Sequence, residues 1–285
     1  MSWNLEYDGK SFKNVVELGK EIPLLTSVLI QWSDDADWIA ANAAANCYDT
    51  NVTYGGKLAD KIVAHCVESH HNTVYEHNIF TFFKKVPIFV ARQDLRARHA
   101  SFDERSLRYC RADNGSLTYY IPDYLSESAI RRAEEKSLTR EVQLLRDMKE
   151  EWIEQHERTL QFYSKYTDQE LNDIWDVLNI DGERVRETVR ASLPLGINTM
   201  YMDSRNAASW IHHSEKRLCL RAQKEIRLIA QQQVKQLKQK APVIFRTTNM
   251  PCMTAGGCHE AKKCGVIDLE PTGRWEVKYF EKNIK

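Results

Sequence analysis

Apolar and polar positions follow two periods along this chain, and the switch between them marks its elements. From Asp34 to Cys47 an alanine-rich run with Trp38, Ile39 and Cys47 predicts a helix, ended by the polar turn residues Asp49 to Gly56. Beyond Lys57, the residues Leu58, Ile62, Val63, Cys66 and Val67 recur at helical spacing, so a second helix should bury one face. Between Asn78 and Lys85 the period falls to that of a strand, with Phe80 and Phe82 on one side and Ile79, Thr81 and Phe83 on the other. Apolar residues on both sides predict cover on both faces. Pro87 then suits the first turn of a helix through Ile88, Ala91 and Leu95, where a backbone N–H is not needed. That helix carries Arg92, Gln93 and Arg96.

Further on, Leu138, Val142, Leu145, Met148, Trp152 and His156 form a core-facing stripe on a long charged helix expected from Ser128 to Tyr163. Val185 to Ser192 reads as a short helix stopped at Leu193-Pro194. Asn206 to Lys240 reads as one long helix, with Trp210, Ile211, Leu218, Ile226, Ile229, Val234 and Leu237 at apolar positions. Helices dominate and the strands are expected in the first half, which predicts an α+β fold with a mixed sheet. With only 11 Gly and 7 Pro, and no linker or repeat, one cooperative body is the simplest organisation.

The 40 Lys and Arg balance the 40 Asp and Glu, which argues against a non-specific grip on DNA or RNA. No run approaches the roughly 18 apolar residues of a membrane helix. Met1 to Lys10 is polar and acidic where a secretory signal places a basic segment and an apolar run, so a cytoplasmic protein is expected. Seven cysteines do not form a disulfide framework in a chain this long and are expected to be reduced.

Candidate chemistry concentrates between Arg92 and Arg111. Six arginines there (Arg92, Arg96, Arg98, Arg105, Arg108, Arg111) face Asp94, Asp103 and Glu104, a local surplus of three positive charges without a lysine. The planar guanidinium fork suits phosphate or carboxylate, although composition alone is equally compatible with a salt-bridge network.

The order of residues resembles the flavin-dependent thymidylate synthases, whose signature is Arg-His-Arg followed, after seven residues, by Ser. Here it reads Arg96-Ala97-Arg98 and then Ser106. The resemblance extends upstream through His71-Asn72-Thr73-Val74-Tyr75-Glu76-His77, Phe80-Thr81-Phe82 and Pro87 to Gln93, and downstream through Arg190, Leu193-Pro194-Leu195, Asn206, Arg217, Gln223 and Glu225-Ile226. It covers roughly residues 35 to 245. This implies a synthase-like domain over residues 1–245 and a C-terminal extension over 246–285. It also implies methylation of dUMP to dTMP, with methylenetetrahydrofolate as one-carbon donor, FAD as cofactor, NADPH as reductant, and a homotetramer whose sites are shared between subunits.

Carried over by position, the resemblance assigns Arg92, Gln93, Glu104, Ser106, Arg108, Arg190 and Arg217 to the nucleotide. Glu104 and Gln93 would serve the sugar, and Ser106 and Arg108 the phosphate. Arg190 and Arg217 would serve the base and its developing negative charge; Arg217, Ser106 and Arg190 are the catalytic candidates. His71, Thr73, Arg96, Arg98, Asn206 and His212 would line the flavin.

The chain also departs from the pattern. Ala97 replaces the signature histidine, Asp103 a typical Asn, Ala208 a common Arg, and His212 stands where Asn is frequent. FAD is expected to bind with altered contacts around its isoalloxazine. His99 could replace the lost imidazole only if the helix ends by Ala97 or Arg98, because two residues along a helix point to nearly opposite sides. Substrate alternatives are UMP, methylated or hydroxymethylated; a different class is an inactive nucleotide- or RNA-binding relative.

Several features also have plain structural readings. Glu76 and His77 suit a half-buried pair, Thr73 a turn cap, and Glu225 with Arg227 a helix-surface pair. Cys110 is expected to be a packing thiol. Cys252, Cys258, His259 and Cys264 lack the close Cys pair of common zinc sites, so no metal is assigned.

Overall fold

The computed structural model describes residues 24–110, 117–167, 171–254, 261 and 264. Its first half runs β1 (Thr26–Trp32), α1 (Ala36–Cys47), α2 (Lys57–Glu68), β2 (Ile79–Pro87), α3 (Ile88–Asp94) and β3 (Ser101–Glu104). Then follow α4 (Glu127–Glu135), α5 (Thr139–Tyr166), α6 (Asn172–Val177), α7 (Gly182–Val189), β4 (Asn198–Asn206), α8 (Ala207–Leu218), α9 (Lys224–Lys240) and α10 (Pro251–Thr254). The strands form one antiparallel sheet in the order β1-β2-β4-β3, which makes the fold α+β. The expected mixed sheet is therefore corrected: each pairing is antiparallel.

One face of the sheet makes the main core. Leu29, Phe80 and Phe82 pack against Trp210, Leu237 and Phe245, and α1 approaches closely because it presents Ala36, Ala40, Ala41 and Ala44. The Trp210 indole edge meets Phe82 at 4.8 Å, and its N–H donates to the Phe80 carbonyl at 2.9 Å. Val28, Ile30 and Phe83 cluster on the opposite face with Met200 and Met202. The strand expected at 78–85 is thus covered on both faces from Phe80 onward, while Ile79 is exposed.

β1 is an edge strand, whose outward N–H and C=O groups need partners. Two glutamines one turn apart on α9 supply them. Gln232 accepts from the Ser27 N–H and donates to the Leu25 carbonyl, while Gln236 accepts from the Leu29 N–H and donates to the Ser27 carbonyl.

Helix boundaries differ from the periodic reading where the backbone turns left-handed. The helix expected over 128–163 is two helices. Ser137, at φ 55°, ends α4 in a Schellman turn in which Leu138 N–H donates to Ala133 C=O and Ser137 N–H to Glu134 C=O. The stripe on α5 is only partly core-facing, since Leu138 and Met148 are exposed while His156 is buried. The helix expected over 206–240 is likewise broken at 219–223, and its first residue, Asn206, closes β4 and caps α8. Pro87 ends β2 just before α3, whose first N–H groups donate to the carbonyls of Ile197 and Leu195. The expected helix Val185–Ser192 is α7 followed by a 3-10 turn at Arg190–Ser192.

Gly196 lies in the segment that receives α3. A Cβ there would sit 2.7 Å from the His156 Nε2. That ring cannot withdraw: it is buried, stacked on Trp152 at 4.7 Å, and tied through Nδ1 to the Trp152 carbonyl at 2.8 Å. Gly196→Ala is expected to destabilise the fold by about 1–3 kcal/mol through overpacking. A urea titration would show a lower midpoint at unchanged slope.

Candidate functional site

At the centre of the molecule lies a charged network that the chain's pattern of polarity did not reveal. Lys84, on the buried face of β2, meets both Asp94 and Asp203. Arg205 donates through Nε and Nη2 to the two oxygens of Asp203, each at 2.7 Å, and through Nη2 to Asp94 at 3.2 Å. Tyr201 donates its hydroxyl to Asp94 at 2.7 Å, and His213 Nε2 stands 3.2 Å from the other Asp94 oxygen. All six are buried. Two cations match two carboxylates, and the Trp210 ring lies 4.6 Å from the Arg205 guanidinium.

Burial alone would raise the Asp94 carboxyl, but Lys84 above all, then His213 and Arg205, outweigh it and hold it well below the usual carboxylate range. Burial holds His213 well below the ordinary histidine range against the pull of Asp94, with Arg205, Lys84 and Arg217 adding to the effect. It is therefore neutral at pH 7, with its Nε2 beside the Asp94 carboxylate. Burial, and then Asp94, push the Tyr201 phenol far upward, so it stays a donor.

The nucleotide candidates lie around this network in three small groups. Gln93 precedes Asp94 at the end of α3. Its carbonyl accepts from Arg217 Nη2 at 2.6 Å, and its side chain donates to Gln223 at 2.5 Å. Ser106 and Arg108 share the turn after β3, where the Arg108 N–H donates to the Ser106 hydroxyl at 3.3 Å. The Arg108 guanidinium meets Glu183 at 2.6 Å and Glu187 at 3.3 Å on α7, and the Glu187 carbonyl accepts from Arg190 Nε at 3.2 Å. Arg108 thus pairs along the helix at whose C-terminal end Arg190 stands. Glu104, on β3, accepts from the Thr199 hydroxyl at 2.8 Å across the sheet. Arg92 is exposed, on the helix that holds Gln93.

On the flavin side, α2 ends in a second Schellman turn. His70 takes φ 57°, and the His71 N–H donates to the Cys66 carbonyl at 2.8 Å. This fixes His71 at the entry to the 3-10 turn Asn72–Tyr75, which contains Thr73. Beside that turn is a cleft of about 440 Å³ lined by His70, Asn72, Tyr75, Ala208, His212 and Glu215, among others. Burial pushes the Tyr75 phenol up to about 12 and the Glu215 carboxyl upward. Burial, then the charges of Lys216 and His99, push His212 down, which favours a neutral imidazole.

The helix does end early enough for His99 to reach this side, for α3 stops at Asp94 and His99 itself has φ 58°. Arg96 and Arg98 are exposed in the same connection. Asn206 uses its Oδ1 to cap α8, accepting from the Ser209 N–H at 2.8 Å. The site residues Gln93 and Arg217 meet directly; Ser106 and Arg108 share one turn, and Arg108 pairs with α7, which Arg190 follows; His212 shares the cleft with Asn72 and Tyr75 of the turn that also holds His71 and Thr73, neither of which lines it.

Other expectations resolve differently. Glu225 and Arg227 do not pair with each other: Glu225 accepts from Tyr120, and Arg227 donates to the Leu220 and Ala222 carbonyls, bracing the break before α9. Glu76 and His77 are both exposed. Cys110 is half-buried, and Cys252 packs beside Leu218, Val234 and Met250. Cys258, His259 and Arg111 lie outside the described residues. Among the described residues no three His, Cys, Asp or Glu side chains are grouped to hold a metal, and no helix is long and apolar enough to cross a membrane.

Comparison with known proteins now adds a name to this geometry. The family model of the thymidylate synthase complementing protein matches residues 28–243. The flavin-dependent thymidylate synthase of Thermosipho melanesiensis is 30% identical over 74% of this chain and 85% of its own length. That of Thermosipho africanus is 29% identical over 73% of this chain and 84% of its own. The flavin-dependent thymidylate synthase of Nitratidesulfovibrio vulgaris is 28% identical over 73% of this chain and 76% of its own.

Proposed function

The chain belongs to the thymidylate synthase complementing protein family, and from that premise we propose that it methylates dUMP to dTMP, using methylenetetrahydrofolate as the one-carbon donor and FAD recharged by NADPH. It is an enzyme of the methyltransferase type. One observation supports the reading above the others: α8 presents His212 to the cleft and, a little over one turn later, Arg217 to Gln93. A single rigid helix thereby spans the flavin side and the nucleotide side, as a reaction between the two requires.

The cleft residues fit a flavin. His212 offers a neutral imidazole, Tyr75 and Ile211 offer apolar surface, and Ala208 leaves the space an arginine would fill. Asn72, beside His71 and Thr73, adds a polar edge, while the exposed Arg96 and Arg98 supply charge for a diphosphate. Asn206 holds the start of α8 that carries His212. His99 supplies an imidazole where Ala97 lacks one. FAD, when bound and reduced, supplies the hydride that completes the methyl group.

Around the nucleotide, Ser106 and Arg108 hold the phosphate with help from Arg92, and Glu104 and Gln93 fix the sugar. Binding phosphate requires Arg108 to turn from Glu183 and Glu187, half-buried ion pairs whose loss the phosphate replaces with charge-assisted bonds. Adding carbon to the uracil ring drives negative charge onto its oxygens. Arg217, already oriented by the Gln93 carbonyl, and Arg190 stabilise that charge without reorganising. The assembled enzyme is a homotetramer, for which Leu144, Met148 and Phe162 on α5 provide exposed apolar surface.

Flavin uptake tests the reading. Purified protein incubated with FAD and desalted is expected to keep flavin absorbance, and His99→Ala to keep less of it. Protein that neither carries nor takes up FAD would overturn the proposal.

A further inference from the structure

Gln93 and Asp94 are consecutive residues at the end of α3, and each is joined to α8. The Gln93 carbonyl accepts from Arg217, and the Asp94 carboxylate lies 3.2 Å from His213 Nε2. His213 and Arg217 are four residues apart in one helix, so they lie on the same face. Two adjacent rungs therefore fix the same two residues of α3 to the same face of α8. The inner rung is buried, with the Trp210 ring edge-on to His213 at 5.7 Å. The outer rung orients the Arg217 fork.

The charge balance of the interior does not require His213. Lys84 and Arg205 already match Asp94 and Asp203, and Asp94 accepts from Lys84, Tyr201 and Arg205 without the imidazole. The other hydrogen-bonding members of the network stand on β2, α3 and β4; His213 is the one on α8 among the described residues. What it adds is the register between α3 and α8. We infer that His213 and Asp94 are positioning residues for Arg217: they set the direction in which its guanidinium meets the pyrimidine. This rests on the assignment of Arg217 to the nucleotide base.

The test is a mutant cycle on FAD-loaded enzyme, reading dUMP affinity by isothermal titration and then kcat and KM. His213→Phe keeps the ring's bulk against Trp210 and removes the donor, while His213→Gln keeps an N–H near the position of Nε2. His213→Phe is expected to weaken dUMP binding about tenfold, as the loss of one hydrogen bond allows, and His213→Gln to restore most of it, with FAD content equal in both. In an Arg217→Ala background the same His213→Phe change is expected to leave dUMP affinity within about twofold, because there is no fork left to position.

An unchanged dUMP affinity in His213→Phe, or the same loss with and without Arg217, would overturn the inference while leaving the proposed function standing. Arg217→Ala binding dUMP as the parent does would overturn the site assignment itself, and the inference with it. Should His213→Phe not fold, His213→Met removes the imidazole while keeping an adaptable apolar side chain against Trp210, and it enters the same cycle with the same outcomes.

Discussion

Lys84→Met is expected to destabilise the protein by about 3–5 kcal/mol, the cost of removing one partner from a buried ion pair. Lys84 is fully buried and bridges Asp94 and Asp203, so its loss leaves two interior carboxylates with Arg205 as their one remaining cation. Methionine keeps the length of the stem, which removes most of the packing contribution from the comparison. Adding Asp94→Asn to the Met variant restores the balance of charge and keeps an acceptor oxygen for Tyr201. The double variant is therefore expected to be more stable than Lys84→Met alone, a coupling that urea titrations of the four proteins would measure. A loss below about 1 kcal/mol in Lys84→Met would show that these charges are not held as described.

Arg217→Ala is expected to lower kcat/KM for the nucleotide by about 10²–10³, the range seen when one preorganised donor to developing charge is removed. Its effect on stability should be small by comparison, since its hydrogen bond is to the Gln93 carbonyl at the half-buried mouth of the site. Arg217→Lys should recover little, because an ammonium cannot hold the Gln93 carbonyl and a ring oxygen with one planar fork. Steady-state kinetics on FAD-loaded protein, with circular dichroism as the folding control, distinguish this from a general loss of structure.

The readable parts of the fold were those in which apolar residues face inward. α1, α2, β2 and α3 form where their patterns predict, because alanines, valines and phenylalanines occupy the buried positions, although Leu58 of α2 is exposed and α3 ends at Asp94, short of the expected Leu95 and Arg96. β4 did not, and the strands are not confined to the first half as expected. Its inward positions are Tyr201, Asp203 and Arg205, so a strand with period-two burial carries its charges on the inside. The same inversion hid the network: Lys84, Asp94 and His213 have the composition of a solvated surface and become legible only when Lys84, Tyr201, Arg205 and His213 are seen to converge on Asp94 and Asp203. The break at Ser137 was hidden for another reason, since serine in a left-handed turn gives none of the usual glycine or asparagine signal.

The site was legible to the extent that it is local. Gln93, Ser106, Arg108 and Arg217 could be named from their order along the chain, but the partners Glu183 and Glu187 could not, and Gln223 was a landmark of the pattern without being legible as the partner of Gln93. The local surplus of positive charge also gains a sharper meaning. Asp94 is withdrawn into the interior, where it is neutralised by Lys84 and Arg205, whereas Arg92, Arg96 and Arg98 remain exposed. The surface thus keeps Arg92, Arg96 and Arg98 without the offset of Asp94, while Arg108 is already matched by Glu183 and Glu187.

The most direct measurement is product analysis after incubating the FAD-loaded protein with methylenetetrahydrofolate, NADPH and either dUMP or UMP. Formation of dTMP from dUMP, at a rate well above methylation of UMP, is the expected result; no dTMP from dUMP, or preferential methylation of UMP, would contradict it.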